Sequence, residues 1–215
     1  MRRTILVLAA WASLVPAAHA EWSLGVEPRS GIRVLDARLS DYRWDVEPRP
    51  FVGVDFVARH ERWSLAIGVS RSSTKQATGL VDVAAPAVAL FETGATLRAA
   101  VLRRGAVRVD LGVGAGRLRS TWEPDVLRTD VDGVPIDVRL DPVGTWTRSL
   151  DARVALRLRP ALHLGLGAVV RQFDLETAHR SGSAIVESTQ TFHSVDVALF
   201  VRVVGWSAPN PETSS

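Results

Sequence analysis

The 215-residue chain contains no cysteine, and Lys75 is its only lysine. Without cysteine there can be no disulfide staple, no thiolate nucleophile and no cysteine-ligated metal. Beyond the first twenty residues no run approaches the roughly 18 consecutive apolar residues that mark a transmembrane helix. Five histidines are scattered through the chain without an HExxH-type spacing, so no histidine metal centre is predicted. Metal and cofactor sites are accordingly not expected.

Strong basicity is also missing, although the sequence pI is 10.4. Arg2 and Arg3 belong to an N-terminal segment with no acidic residue. Removing these two from the 26 Lys and Arg leaves 24 basic against 23 acidic residues. Nucleic-acid binding is therefore not read from charge. The N-terminal segment has the three parts of an export signal. Arg2 and Arg3 form a basic start, Ile5 to Leu14 an apolar stretch too short to span a bilayer, and Ala18-His19-Ala20 a small-x-small cleavage site. Residues 1–20 are expected to be a signal peptide cleaved near Ala20. Residues 21–206 are expected to form one domain, and 207–215 a polar tail without order.

What the chain does have is period-two alternation. In Ala106–Arg117, Val107, Val109, Leu111, Val113 and Ala115 share one parity, while Arg108, Asp110, Gly112, Gly114 and Gly116 share the other. Side chains alternate across a strand, so the two sets face opposite ways. Water gives no reason to gather glycines on one face, whereas long arginines inside a narrow barrel need that space. Similar segments run over Trp22–Glu27, Phe51–Arg59, Trp63–Ser72, Ala89–Leu102, Thr145–Arg159, Leu162–Phe173 and Thr191–Trp206, making eight predicted strands. Pro28 is expected to end the first. Tight turns are predicted around His60-Glu61, Arg104-Gly105 and Pro160-Ala161, and long links over 28–50, 73–88, 119–144 and 174–190. Asp132-Gly133 between valines is a hairpin signal, so the fifth and sixth strands are expected to continue into a protruding hairpin.

Parity sorts the charged residues. Asp55, Arg59, Glu92, Arg98, Arg108, Asp110, Asp151, Arg153, Arg157, Arg171, Asp196 and Arg202 fall opposite the apolar set. An arginine on the lipid face at the bilayer midplane costs about 2–4 kcal/mol, so these charges are placed in the lumen and the apolar faces outside. Counting back from the turns puts Arg98 opposite Asp110, and Asp151 opposite or diagonal to Arg171. The set reads either as an ion path or as a salt-bridged plug, with the plug favoured for eight strands. Arg71, Arg117, Arg119 and Arg148 have outward parity near the long-loop rim. Arg117, Arg119 and Arg148 are candidates for phosphorylated lipid headgroups, which suit arginine forks, or else are solvated rim residues. Trp22, Trp63, Phe91 and Trp146 fit interfacial aromatic girdles. Trp206 has inward parity if its strand is regular.

Catalytic groupings are thin. His179, Ser181 and Glu187 have the residue types of a hydrolase triad but fall in a predicted loop. Asp130-Val131-Asp132-Gly133 lacks the downstream glutamate of a calcium loop, and Gly112-x-Gly114-x-Gly116 precedes no helix. No catalytic residue is assigned.

In architecture, 21–206 resembles the eight-stranded outer-membrane barrels of the OmpA transmembrane-domain and OmpX type. The resemblance implies an all-β, antiparallel, up-and-down transmembrane barrel with short periplasmic turns and long extracellular loops. It also implies a lumen filled by a charged network, and contact with the barrel-assembly machinery and outer-membrane lipopolysaccharide. Many such chains end in an aromatic residue, whereas nine residues follow Trp206 here. The leading expectation is a monomeric, non-enzymatic outer-membrane protein acting in membrane integrity or surface contact. A narrow solute channel comes second, a lipid A-modifying enzyme third, and a soluble periplasmic lipocalin-like carrier fourth.

Overall fold

The structure, a computed structural model, describes residues 22–35, 43–44, 47–77, 85–131, 134–181 and 184–207. The signal segment and the tail after Ser207 lie outside the described residues. Eleven strands follow in order: β1 (Trp22–Leu35), β2 (Arg43–Trp44), β3 (Arg49–His60), β4 (Trp63–Ala77), β5 (Ala87–Arg104), β6 (Val107–Glu123), β7 (Val126–Val131), β8 (Val134–Arg139), β9 (Val143–Arg159), β10 (Leu162–Ser181) and β11 (Ala184–Ser207). Eight of them, β1, β3, β4, β5, β6, β9, β10 and β11, pair antiparallel with their neighbours. The β4–β5 and β1–β11 pairings complete a closed barrel. Closure leaves no unpaired edge inside a bilayer, the condition for a sheet to span one.

The barrel's polarity is inverted relative to a soluble protein. Phe56 is 63% exposed, Leu150 64% and Leu166 56%, whereas Arg98, Asp110 and Asp196 are each 1% exposed. The alternation thus puts oil outside and charge inside. The inward glycines provide the room. A Cβ at Gly112 would stand 2.7 Å from Cγ of Arg98, and one at Gly68 would run into the Asp55 carboxylate. The β5–β6 turn needs a glycine for another reason: Gly105 has φ +58°, which costs glycine little.

All eight predicted strands are present, and the three tight turns fall at Glu61-Arg62, Gly105-Ala106 and Pro160-Ala161. Several boundaries differ. β1 passes through Pro28, which lies opposite Val54 on β3. Its ladder to β11 runs Val26↔Val203 and resumes at Arg29↔Phe200, so the gap falls where proline has no N–H to donate. The predicted loop 174–190 is instead the outer part of a hairpin, with β10 and β11 paired out to Ser181↔Ala184. Above the membrane a strand has no lipid face, so the apolar alternation that betrays it fades. The hairpin around 132–133 forms, but as a separate two-stranded sheet, with β6 ending at Glu123 before Pro124. Asp132 and Gly133 themselves lie outside the described residues. A bulge between Val204 and Trp206 pairs Trp206 with the outward Leu24. Trp206 is 52% exposed, on the opposite face from the one regular alternation predicts.

Candidate functional site in the barrel lumen

The lumen is layered. At the long-loop end Leu35, Val88, Leu90, Leu118, Phe173, Leu175 and Phe192 form a buried apolar cluster, with Trp122 and Val143 against it. Phe173 and Phe192 stack with ring centroids 5.3 Å apart. Trp122 Nε1 donates to Oε1 of Gln76 at 2.6 Å. This apolar tier is absent from the sequence reading. The segments carrying it extend above the lipid band, so no lipid-facing row marks their opposite side.

Below it lies a closed ring of four charges. Arg33 Nε is 2.8 Å from Asp196 Oδ1, and its NH2 is 3.1 Å from Glu92 Oε2. Arg171 closes the ring, with Nε 2.7 Å from Glu92 Oε1 and NH1 2.5 Å from Asp196 Oδ2. Arg33 also donates to Ser72 Oγ at 3.1 Å, and Thr147 Oγ1 donates to Glu92. The four charges come from β1, β5, β10 and β11, so the ring ties strands across the lumen.

A second cluster fills the middle. Asp55 meets Arg29 at 3.3 Å, Arg98 at 3.3 Å and Arg153 at 3.1 Å. Asp151 meets Arg98 at 3.1 Å and Arg153 at 3.0 Å. Glu27, fully buried, contacts Arg153, Arg202 at 2.6 Å and Arg98 at 4.0 Å. Arg153 lies over the Phe200 ring at 5.1 Å, and Arg33 over Phe51 at 5.5 Å. These aromatic faces add cation–π attraction where water is scarce. Nearer the short turns Arg108 pairs with Asp110 at 2.6 Å. The space left among Arg29, Asp55, Glu92, Arg98, Asp151 and Arg171 is a cavity of about 30 Å³.

The structure brings Asp55, Glu92, Arg98, Asp151, Arg153, Arg171, Asp196 and Arg202 into these clusters. Arg59 and Arg157 point inward at the short-turn mouth, where Arg157 is exposed. One register differs from the sequence expectation, and a second holds with its side-chain contact redirected. Arg98 lies opposite Gly112, because the turn centres on Gly105-Ala106 and a bulge follows Ala100. Its partners are Asp151 and Asp55, not Asp110. Arg171 lies diagonal to Asp151, which faces Val169, but its guanidinium turns to Glu92 and Asp196. Arg29 and Arg33 fall beyond Pro28, where the predicted first strand ends, and Glu27, the last residue of that strand, is not among the predicted inward charges. Their odd-numbered spacing with Gly25 and Gly31 was the available signal.

Outside, Arg117 lies opposite Trp146 and Arg119 opposite Phe91 and Gly144. Arg148 pairs with Ala115 and Gln172. All three arginines are exposed, beside an exposed Trp146 and Phe91. The Arg117 guanidinium lies over Gly144, 3.5 Å from where a Cβ would begin. At the opposite rim Trp22, His60 and Trp63 align in one row, with the Trp22 and His60 rings 4.7 Å apart. The side chains of His179, Ser181 and Glu187 lie outside the described residues. His193 and Ser194 point to opposite faces of β11.

Neisserial surface protein A has a similar structure, with TM-score 0.57 and 12% identity over 85% of this chain and 97% of that one. The fold is that of a small bacterial outer-membrane β-barrel. The barrel is also similar to OprG from Pseudomonas aeruginosa, at TM-score 0.47 and 10% identity over 87% of this chain and 94% of that one. A third similar barrel is AlkL, at TM-score 0.48 and 12% identity over 88% and 94%. No protein-family model matches the chain, and no curated protein matches its sequence.

Proposed function

We propose that the chain is a non-enzymatic outer-membrane protein whose lumen is closed by its charge network. It would act in envelope integrity or surface contact through its outer rim and loops. The observation carrying this reading is the pair of cross-lumen ion-pair clusters, with a space of about 30 Å³ among them. An ion would have to break several buried pairs to pass. In planar bilayers the purified barrel should show no steady current above the lipid background. A stable open-state conductance from the wild type would replace this reading with the narrow channel.

The outer rim supports contact with lipopolysaccharide. Arg117, Arg119 and Arg148 sit beside the outward aromatic residues Trp146 and Phe91, the level at which phosphorylated headgroups meet the barrel. Arginine forks bind phosphate bidentately, and glutamine cannot replace the charge. Changing all three to Gln should weaken lipopolysaccharide co-purification severalfold while leaving folding in neutral detergent unchanged. Equal co-purification of the variant would reduce these residues to a solvated rim.

A further inference from the structure

At the short-turn mouth the lumen changes character. Each of six strands directs a basic residue inward there: Arg59 on β3, Arg103 on β5, Arg108 on β6, Arg157 on β9, His163 on β10 and Arg202 on β11. The other two strands give Ser23 and Ser64. Among the described residues, the carboxylates that reach this level are engaged. Asp110 is held by Arg108 at 2.6 Å, and Glu27 by Arg202 at 2.8 Å. Glu61 stands exposed on the β3–β4 turn. Higher in the lumen guanidinium and carboxylate groups nearly balance, but here, among the described residues, the cations are in clear excess.

Two further observations point to a missing partner. The bulge after Ala100 sets Arg103 directly opposite Arg108, and like charges placed so repel each other. Donors are also unpaired here, as Nε of Arg29 and NH1 of Arg98 are higher in the lumen: Nε and NH2 of Arg59, NH1 of Arg108, NH1 of Arg202 and Oγ of Ser64 are buried with no hydrogen-bond partner among the described residues. Arg108, Arg202 and Ser64 are all more than nine-tenths buried. Buried donors are normally satisfied. The same mouth therefore holds uncompensated positive charge and unfilled donor capacity.

We propose that the short-turn mouth is a binding site for a phosphate-bearing anion, entering from the aqueous side opposite the long loops. A single carboxylate would leave most of the guanidinium charge uncompensated. A phosphomonoester or pyrophosphate group carries multiple negative charges and several acceptor oxygens, matching forks that approach from different strands. The exposed Arg103 and Arg157 would capture the anion, and the buried donors would receive its inner oxygens.

Inorganic pyrophosphate is the probe, titrated calorimetrically into the refolded barrel in neutral detergent. The Arg117→Gln/Arg119→Gln/Arg148→Gln background removes competing sites on the outer rim. Saturable binding is expected, weakened about tenfold by Arg103→Gln/Arg157→Gln. Arg103→Lys/Arg157→Lys should keep part of the affinity. Both positions are exposed and Arg103 faces the like charge of Arg108, so thermal stability should not fall. Absence of saturable binding, or equal binding by the Gln pair, would overturn the proposal. Nanodiscs separate the sources of phosphate. A soluble ligand predicts the same pyrophosphate affinity in phosphatidylcholine discs with and without phosphatidic acid. Competition by phosphatidic acid, a phosphomonoester lipid, that vanishes in the Gln pair would support the site and identify a lipid headgroup as its occupant.

Discussion

Glu27→Gln should destabilise the barrel by about 3–5 kcal/mol, the range found when one member of a buried ion pair is removed. Glu27 is 0% exposed and serves three guanidinium groups, those of Arg98, Arg153 and Arg202. Glutamine keeps the volume and loses the charge, so the loss would be electrostatic and not a cavity effect. The cost comes from stranding positive charge where water cannot reach it. Urea unfolding in lipid vesicles would measure it. Removing Arg202 as well, in Glu27→Gln/Arg202→Met, should restore part of the loss, since the pair then leaves together. A double variant no better than Glu27→Gln alone would mean that the assigned pairing is not what holds this region. The exposed pair Arg139–Asp141, at 3.4 Å, is the contrast. Asp141→Asn should change little, because solvent screens that pair.

Parity made most of the lumen legible in the sequence, and parity is also where legibility stopped. Lipid on one side forces an unbroken apolar row, and everything opposite that row must point inward. That is why Arg98, Asp151, Arg171 and Asp196 could be placed from spacing alone. Partner choice could not be. A guanidinium spans the narrow lumen, so Arg33 of β1 meets Asp196 of its neighbour β11 and also Glu92 of β5, and no hairpin register predicts the second contact. Bulges after Ala100 and before Trp206 shifted what register there was. Beyond the lipid band the outer row is no longer constrained. The apolar tier of Leu35, Leu90, Leu118, Phe173 and Phe192 and the long β10–β11 ribbon both lie there, and neither was read. Pro28 misled for a local reason: proline lacks a donor, but its position tolerates the loss of one ladder bond.

The lipid-facing row makes the second large prediction. Leu111 sits midway along the apolar run of β6 between Val107 and Ala115, and is 50% exposed on the outer face. Leu166 occupies a comparable place on β10, paired with the outward Val154 and Leu199. Leu111→Arg and Leu166→Arg should each destabilise the vesicle-inserted barrel by about 2–4 kcal/mol, because the guanidinium enters hydrocarbon near the midplane. Arg117 lies only six residues along the same outer row from Leu111, at the headgroup level on the proposed reading. A new arginine nearer that rim, in Ala115→Arg, should therefore cost less than Leu111→Arg. Water on the outside predicts the reverse: an arginine replacing an exposed leucine would leave stability unchanged and improve solubility. Stable, soluble Leu111→Arg and Leu166→Arg proteins would thus remove the membrane reading and favour the carrier, while a depth-graded loss would fix both the outward face and its height in the bilayer.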